Sequence, residues 1–439
     1  MSNAPSIVTL DKIVALCKRR GFVYPAADIY GGLNGVYDFG PLGAQLRTNI
    51  RNAWTRAMDE APSEIVFFDG ALLGHHKMWE ASGHVENFHD PMVDCLNCKK
   101  RFRADDPDIN LEKSCPSCGI KKWTEIRQFN MMFKTELGAS SEHTSIAYLR
   151  PETAQPIFIN FKNIISTNRV KIPFGVAQIG KAFRNEITPK QFLFRMREFE
   201  QMEVEWFCKE EHVEQGFPAW IEARRKFYVS IGITESRLRF YQQQKHERAH
   251  YSTQCTDIEY LFPFGWKELE GIAHRGTYDL TQHSQHSGKD LSVFDEETKT
   301  SYTPHVIECS VGVDRLFLTL LFDAYHEDII DGEERVVLKL HPRVAPVKAA
   351  FLSLTKKLND QTHAIYTRIK KAGYAVQFDD AGSIGKRYRR QDEIGTPLCF
   401  TYDFDSIEDN CVTVRDRDTT QQKRISIDQI EDYLRAQLD

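Results

Sequence analysis

The chain is predicted to be α+β: an antiparallel sheet flanked by helices, interrupted by a cysteine ribbon and followed by a separate α/β domain. Three observations predict it. The run Gly175 to Phe183 is apolar and β-prone, and Phe199 to Phe207 alternates acid with apolar, so the two read as strands joined by a loop loaded with arginines. Cys95-x2-Cys98 and Cys115-x2-Cys118 form two knuckles inside the first half. From Val347 onward strand and helix patterns alternate over roughly a hundred residues, a normal domain size. The expected division is a core at 1–94 and 126–330, a ribbon at 95–125 and an α/β domain at 335–439.

Composition narrows the class. In 439 residues, 41% hydrophobic with 28 Phe, 16 Tyr and 6 Trp, there is material for large cores. No apolar run approaches the ~18 residues of a membrane span; Leu316 to Phe322, broken only by Thr319, is a core segment. Met1 to Ile7 lacks a basic region followed by an apolar one, so no secretory leader is expected. A net charge of −5 excludes a surface that is basic throughout, leaving nucleic acid to local patches. Ten cysteines, six scattered singly and four in a metal pattern, suit a reducing cytosol.

Taken in order, Asp11 to Arg20 has helical spacing and stops at Gly21. The glycine-dense run Gly31 to Gly43 reads as turns, and no Lys-Ser/Thr follows to make it a phosphate loop. Leu42 to Glu60 is an amphipathic helix that leans to core over interface, with a strand at Glu64 to Phe68. The four cysteines can give a tetrahedral thiolate set that selects zinc, and with no open position the site is structural. Pro151 ends a strand, and Glu152 to Phe161 can start a helix. Glu210 to Tyr228 is helical, Arg237 to His250 basic and aromatic, and Trp266 to Arg275 a partly alternating strand. His246, His250, His274, His283 and His286 read as surface or substrate-channel residues. Val306 to Gly312 is a strand, followed by a helix whose Arg315 meets either a buried carboxylate or an anion at the helix N-terminus. Ile329 to Glu334 is a linker candidate. In the last domain Lys386, Arg387, Arg389 and Arg390, with Arg415, Arg417, Lys423 and Arg424, make either a solvated face or an RNA-contact patch.

By charge alone the central hairpin stays open. Arg184, Arg195 and Arg197 beside Glu186, Glu198, Glu200 and Glu203 make either a polyphosphate clamp with an amine-and-metal pocket or a salt-bridged hairpin.

Together these segments resemble the class II aminoacyl-tRNA synthetases, and within them the homodimeric glycyl-tRNA synthetases, over nearly the whole chain. Arg184-Asn185-Glu186 through Phe194-x-x-Arg197-Glu198-Phe199 resembles motif 2, Gly312 to Arg315 motif 3, and Leu42 to Phe68 motif 1, which in the family builds the dimer interface. Gly31 to Gly43, Trp79 to His84, Arg150 to Gln155, Phe199 to Glu203, Ser383 to Arg387 and Asp392 to Pro397 resemble segments specific to the glycine enzymes.

The resemblance implies site residues. Arg184, Asn185 and Glu186 would hold ATP, with Phe194, Arg195, Met196, Arg197, Glu198 and Phe199 continuing the site and Phe199 stacking on adenine. Arg315 would bind the γ-phosphate end of a bent ATP, with Gly312, Val313 and Asp314 also at the ATP site, and Arg184 and Arg315 would carry catalysis. Glu268 and Leu269 match a further ATP-contacting pair, Glu268 being a Mg²⁺ carboxylate. Glycine would lie among Glu152, Phe199, Glu200, Gln201, Met202, Glu203, Arg275, Glu308, Cys309, Ser310, Val311 and Gly312, with Arg103 a further contact. The implied partners are glycine, tRNA and a second copy of the chain, with no membrane; the implied groups are ATP with Mg²⁺ and structural zinc; the implied compartment is the cytoplasm. Cys309 stands where the family has proline, and His274-Arg275-Gly276-Thr277-Tyr278 departs from Asn-Arg-Thr-Asp. Other class II synthetases lack the glycine-specific segments, and a non-enzymic paralogue could lose the arginine clamp, which is present here. A zinc-ribbon RNA-binding protein leaves the long middle of the chain without a role.

Overall fold

The computed structural model describes residues 8–106, 108–138, 145–249, 251–330 and 332–438. Met1 to Ile7, read above for a leader, and His250 lie outside the described residues.

A seven-stranded sheet organises the first three quarters of the chain. Its strands are β1 (Glu64–Phe67), β2 (Phe174–Phe183), β3 (Glu198–Cys208), β4 (Leu238–Gln242), β5 (Gln254–Phe262), β6 (Gly265–Gly276) and β7 (His305–Gly312). The order across the sheet is β4-β5-β6-β7-β3-β2-β1, antiparallel throughout except for the parallel pair β2–β1. Because strand side chains alternate faces, every functional position here has a side, and the register decides which side chains meet.

One face is closed by helices. Helix Leu10–Arg20 opens on Thr9, whose hydroxyl accepts from the Lys12 amide, and closes at Gly21 with φ +75°. Helix Pro41–Ala57 starts with proline in its first turn and buries Leu46, Ile50 and Trp54 along one stripe. Helix Val313–Ala324 follows β7 directly and is buried along almost its whole length. The resulting core runs from Ile13 and Phe22 through Trp54, Met202, Cys309 and Val311 to Phe317 and Leu321. A second cluster, around Phe158, Phe161, Phe174 and Phe207, seats the helices Ala154–Ile159 and Phe161–Asn168.

The last part is a five-stranded sheet in the order 376–379, 349–353, 398–402, 411–416, 422–426, its first three strands parallel and the remaining pairs antiparallel. Helices Asn359–Lys371 and Ile430–Leu438 pack on it around Phe351 and Phe400, whose rings stack at 5.2 Å.

The linker expected at Ile329 to Glu334 is instead the tip of a hairpin, with Tyr325–Ile330 pairing antiparallel to Glu333–Leu338. Asp331-Gly332 is a hairpin turn signal, and Gly332 has φ +83°; polarity alone hid it. Leu338, Leu340, Val344 and Ala345 continue into the main core.

Candidate functional site

The site is a cavity of about 460 Å³ on the open face of the sheet, floored by β3, β7, β6 and β5. In register, Gln201 pairs with Gly312, Glu203 with Ser310 and Glu205 with Glu308 across β3 and β7. Gly271 pairs with Ser310 and Ala273 with Glu308 across β6 and β7. The alternation therefore brings Phe199, Gln201 and Glu203 together with Glu308, Ser310 and Gly312 on one floor.

The same alternation corrects four expected glycine contacts. Glu200 points to the opposite face, where Arg47 reaches it at 3.0 Å and Arg51 at 2.8 Å. Met202, Cys309 and Val311 also face away and belong to the core. Cys309 in place of the family's proline thus sits behind the cavity wall. A run taken whole from a motif ignores the two-residue period of the strand that carries it.

At one end of the cavity the carboxylates are buried. Glu203 accepts from the Thr153 amide at 3.1 Å, from the Thr153 hydroxyl, and from Ser310 Oγ at 2.6 Å. Glu152 meets His84 Nε2 at 3.1 Å and accepts from Gln155 Nε2 at 3.1 Å. Arg275 donates to both oxygens of Asp279, at 2.7 and 2.8 Å, and to Glu308 at 3.1 Å, beneath the Tyr251 ring at 3.8 Å. Burial pushes Glu308 up to about 8 despite Arg275, with Glu203 and Glu152 adding to the rise. Glu203 is raised by burial and by Glu152. Burial would raise Glu152 too, but its contact with His84 holds it below the usual range. An acid-rich, largely dry pocket of this kind favours a small cation.

The other end is lined with arginines. Arg184 donates to the Pro151 carbonyl at 3.1 Å and lies 5.3 Å over Phe199. Arg315 donates to the Glu268 carbonyl at 2.9 Å and its carboxylate at 3.1 Å, and covers Phe194 at 4.4 Å. The carboxylate it meets is half exposed, not buried. Arg195 sits 3.9 Å from Glu186, whose carboxyl burial raises. Two guanidiniums on aromatic platforms, Arg184 and Arg315, with Arg195 beside them, suit a polyanion.

Other expected ATP residues support the site from around the cavity, and Met196, Leu269 and Asp314 line it. Arg197 donates to the Glu186 and Asn34 carbonyls at 3.0 and 2.8 Å, pinning the glycine-rich run. Gly35 there is at φ +74°, and an added Cβ would lie 2.6 Å from Pro189. Glu198 pairs with Lys181 at 2.7 Å, and Asn185 donates its amide to the Met131 carbonyl at 2.7 Å. Asp314 lines the cavity while its carboxylate accepts from the Glu200 amide at 2.8 Å. Val313 belongs to the core, as does Leu269, which also touches the cavity. Arg103 is taken up by Asp90 and Asp105, at 3.0 and 2.8 Å, and is not among the cavity-lining residues.

The sequence reading missed Gln243, Tyr251, Ser252, Cys255 and Asp257, which close the wall formed by β5 and the segment before it. Asp257 accepts from Gln243 at 2.8 Å and is raised to about 6 by burial, with Glu268 contributing. Two carboxylates lining one wall, one of them raised in part by the other, are a donor set for a hard divalent cation. Only the period-2 alternation of Cys255 and Asp257 hinted at this wall. His84 and Asp279 carried no local signal of their roles. His283, expected at the surface or in a channel, is buried and bonded to Gln155 Oε1 at 2.8 Å; His274 meets His305 at 3.0 Å.

Within the ribbon the four cysteine sulfurs lie within 4.8 Å of one another. The Cys95–Cys118 and Cys98–Cys115 separations are 3.6 and 3.8 Å, matching the ~3.8 Å edge of a tetrahedron with ~2.3 Å zinc–sulfur bonds. Each knuckle turns on a left-handed residue, Lys99 at φ +58° and Gly119 at φ +75°. The donor set fits zinc.

The expected RNA patch is corrected in part. Arg387 is buried, its guanidinium bonded to the carbonyls of Ser353, Asp380 and Gly382. Arg390 forks onto Asp379 at 2.9 and 2.8 Å, and Arg415 and Arg417 are buried. Arg387 and Arg390 on helix Ile384–Ile394 tie the preceding turn together, and Arg415 reaches Asp392 from its strand; Lys386 is exposed and Arg389 half-buried.

Comparison with known proteins agrees with this geometry. Residues 133–324 match the tRNA synthetase class II core domain (G, H, P, S and T), and residues 343–437 match an anticodon binding domain. The chain is 51% identical over 459 aligned positions to a protein named glycine–tRNA ligase from Caldanaerobacter subterraneus subsp. tengcongensis, covering 99% of both chains. Proteins of the same name from Alkaliphilus oremlandii and Thermobifida fusca are 49% and 50% identical, each aligned over 98% of both chains.

Proposed function

We propose a division of labour within this cavity that starts from one fact: the chain belongs to the glycine–tRNA ligase family of class II synthetases. It activates glycine with ATP and charges tRNA. In the division proposed, Glu203, Glu152 and Glu308 hold the ammonium of glycine, and Arg184, Arg195 and Arg315 hold the triphosphate, with Phe199 against adenine. The single observation that supports it is the meeting of a buried acid floor and an arginine wall in one cavity.

The chemistry follows from that polarity. The carboxylate of glycine attacks the α-phosphorus in line, and pyrophosphate leaves. Two anions must approach each other, so the work is charge neutralisation and positioning, with no protein nucleophile. Arg184 sits at the junction of the two ends, tethered to the Pro151 carbonyl beside Glu152. Glu268 with Asp257 would hold Mg²⁺, which when bound supplies further neutralisation of the phosphates. The adenylate carbonyl is then attacked by the terminal ribose hydroxyl of tRNA. Glycine has no side chain to grip, so selection against alanine rests on steric exclusion around a clamped ammonium.

We further read the ribbon as holding structural zinc, and the divisions at 1–94 with 126–330 and 95–125 as functional domains. The last domain, expected from 335, is read instead as beginning at strand 349–353, because Glu333–Leu338 pairs with Tyr325–Ile330 and Leu338, Leu340, Val344 and Ala345 pack in the main core. We read Lys386, Arg389 and Lys423, members of the basic cluster that stay exposed or half-buried, as contacting tRNA. A homodimer is supported by the outer edge of β1, which has no strand partner among the described residues and carries exposed Phe67. A cytoplasmic site suits four thiolates that must stay reduced to hold a metal.

Pyrophosphate exchange tests the proposal. Glycine-dependent exchange is expected, falling about 10²- to 10³-fold in Arg315→Ala and Arg184→Ala, the loss typical of a missing transition-state donor. Exchange with alanine or serine but not glycine would overturn the specificity, and none with any amino acid would point to a non-enzymic paralogue.

A further inference from the structure

Glu205 belongs to none of the expected contacts, yet it lies two residues beyond Glu203 on the same face of β3. It is fully buried, and neither of its carboxylate oxygens has a hydrogen-bond partner among the described residues. Its cross-strand neighbour on β7 is Glu308, and on β2 it is Val176, which offers no charge. The charged groups facing it are Glu308, Arg275, Glu203 and Asp279. Arg275 is already engaged by Asp279 and Glu308, so the one nearby cation has its donors committed elsewhere.

The charge count is lopsided. Glu152, Glu203, Glu205, Glu308 and Asp279 are all buried, against Arg275, Arg150 on the Glu203 side and at most a protonated His84, five acids to at most three cations. Desolvation and like-charge repulsion forbid full ionisation of such a group, so the empty pocket must carry at least one proton. An acid that accepts no hydrogen bond loses least by being neutral. Burial, with the charge of Glu308 next, pushes Glu205 well above the ordinary carboxylate range.

We propose that Glu205 holds a proton while the pocket is empty and gives it up when the ammonium of glycine enters, so that glycine binding is coupled to proton release. The inference rests on the reading of this cavity as the glycine pocket. The balance is simple: a neutral acid and zwitterionic glycine become a carboxylate with bound glycine, and one proton goes to solvent past Glu308, which lines the cavity. No bond of glycine is made or broken. Glu205 touches neither substrate and acts through Glu308 as a positioning residue. The added positive charge offsets the repulsion that kept the proton in place.

Titration calorimetry of the full-length protein with glycine at neutral pH, in phosphate, HEPES and Tris buffers, tests this. The slope of observed heat against buffer ionisation enthalpy counts protons. Wild type is expected to release a proton fraction approaching one. Glu205→Gln, isosteric and permanently neutral, should bind glycine with a clearly smaller slope, the remainder coming from Glu308, and Glu205→Asp should restore release. In exchange assays the KM for glycine should fall about tenfold per pH unit below the folded-state pKa in wild type and less steeply in Glu205→Gln. Heats independent of buffer in wild type, or release undiminished in Glu205→Gln, would overturn the coupling while leaving the pocket in place. Absence of both glycine binding and glycine-dependent exchange would overturn the pocket itself.

Discussion

Gly271 shows how much a single position on the cavity floor can decide. It lies in extended backbone on β6, lines the cavity, and an added Cβ would meet no protein atom within 4 Å. Gly180, three strands away on β2, is the contrast: there a Cβ would fall 2.1 Å from Arg150 Nη2, inside the packed protein. Gly271→Ala is therefore expected to fold with an unchanged unfolding midpoint while its methyl narrows the substrate space, raising the KM for glycine or ATP several-fold. Gly180→Ala should cost about 1–3 kcal/mol by overpacking. Denaturant melts set beside exchange kinetics distinguish the two. The residue scale was also where the sequence was hardest to read. Glu203 and Glu200 look alike in the run Phe199 to Glu203, and only the side of the strand separates a substrate carboxylate from one tied to Arg47 and Arg51. His84, which braces Glu152, stands 68 residues before it and shows no pairing signal.

Elements were more legible than side chains, because periodicity and caps are local. Helix Leu10–Arg20 ends at Gly21, strands β2 and β3 lie close to where alternation puts them, and two Cys-x2-Cys knuckles converge into one thiolate cluster. The hairpin Tyr325–Leu338 reads as a linker in sequence because Glu327, Asp328, Glu333, Glu334 and Arg335 crowd around Ile329 and Ile330 and hide the strand alternation. The ribbon also meets the central hairpin. Asp106 reaches Lys190 in the loop between β2 and β3 at 3.0 Å, so the ribbon props the loop that precedes Phe194 and Arg195. Chelation or Cys118→Ser is expected to remove bound zinc, expose residues 95–125 to protease and raise the KM for ATP. The midpoint of the central sheet should barely move, since that sheet's core is separate from the ribbon. Metal analysis, limited proteolysis and kinetics check each part. Zinc loss with unchanged proteolysis and KM would show that the ribbon folds without it.

At the scale of the whole molecule, the join between the two sheets rests on a buried ionic cluster. Asp392 is fully buried on helix Ile384–Ile394, forked by Arg415 at 2.8 and 3.2 Å and met by Arg335 of the hairpin at 3.3 Å. Arg335 also binds Asp328 and the Arg417 carbonyl, and Asn49 of the core donates to the Ala345 carbonyl at 2.8 Å. Asp392→Asn leaves two buried arginines short of a counter-charge and is expected to cost about 3–5 kcal/mol. The loss should appear as an earlier, less cooperative urea transition, with glycine-dependent exchange per folded molecule nearly unchanged. A melt superimposable on wild type would show that the cluster contributes nothing net. By itself, the sequence determined the α+β core, the ribbon, the terminal α/β unit and the glycine–tRNA ligase family, because periodicity, cysteine spacing and contiguous motifs are all local in the chain. Only the tertiary structure decided which carboxylates share the floor with Arg275, which basic residues are consumed inside the last domain, and that Glu205 is buried without a partner. Those depend on register and on contacts between segments tens to hundreds of residues apart, where the energy of burying a charge is set by what the fold brings beside it.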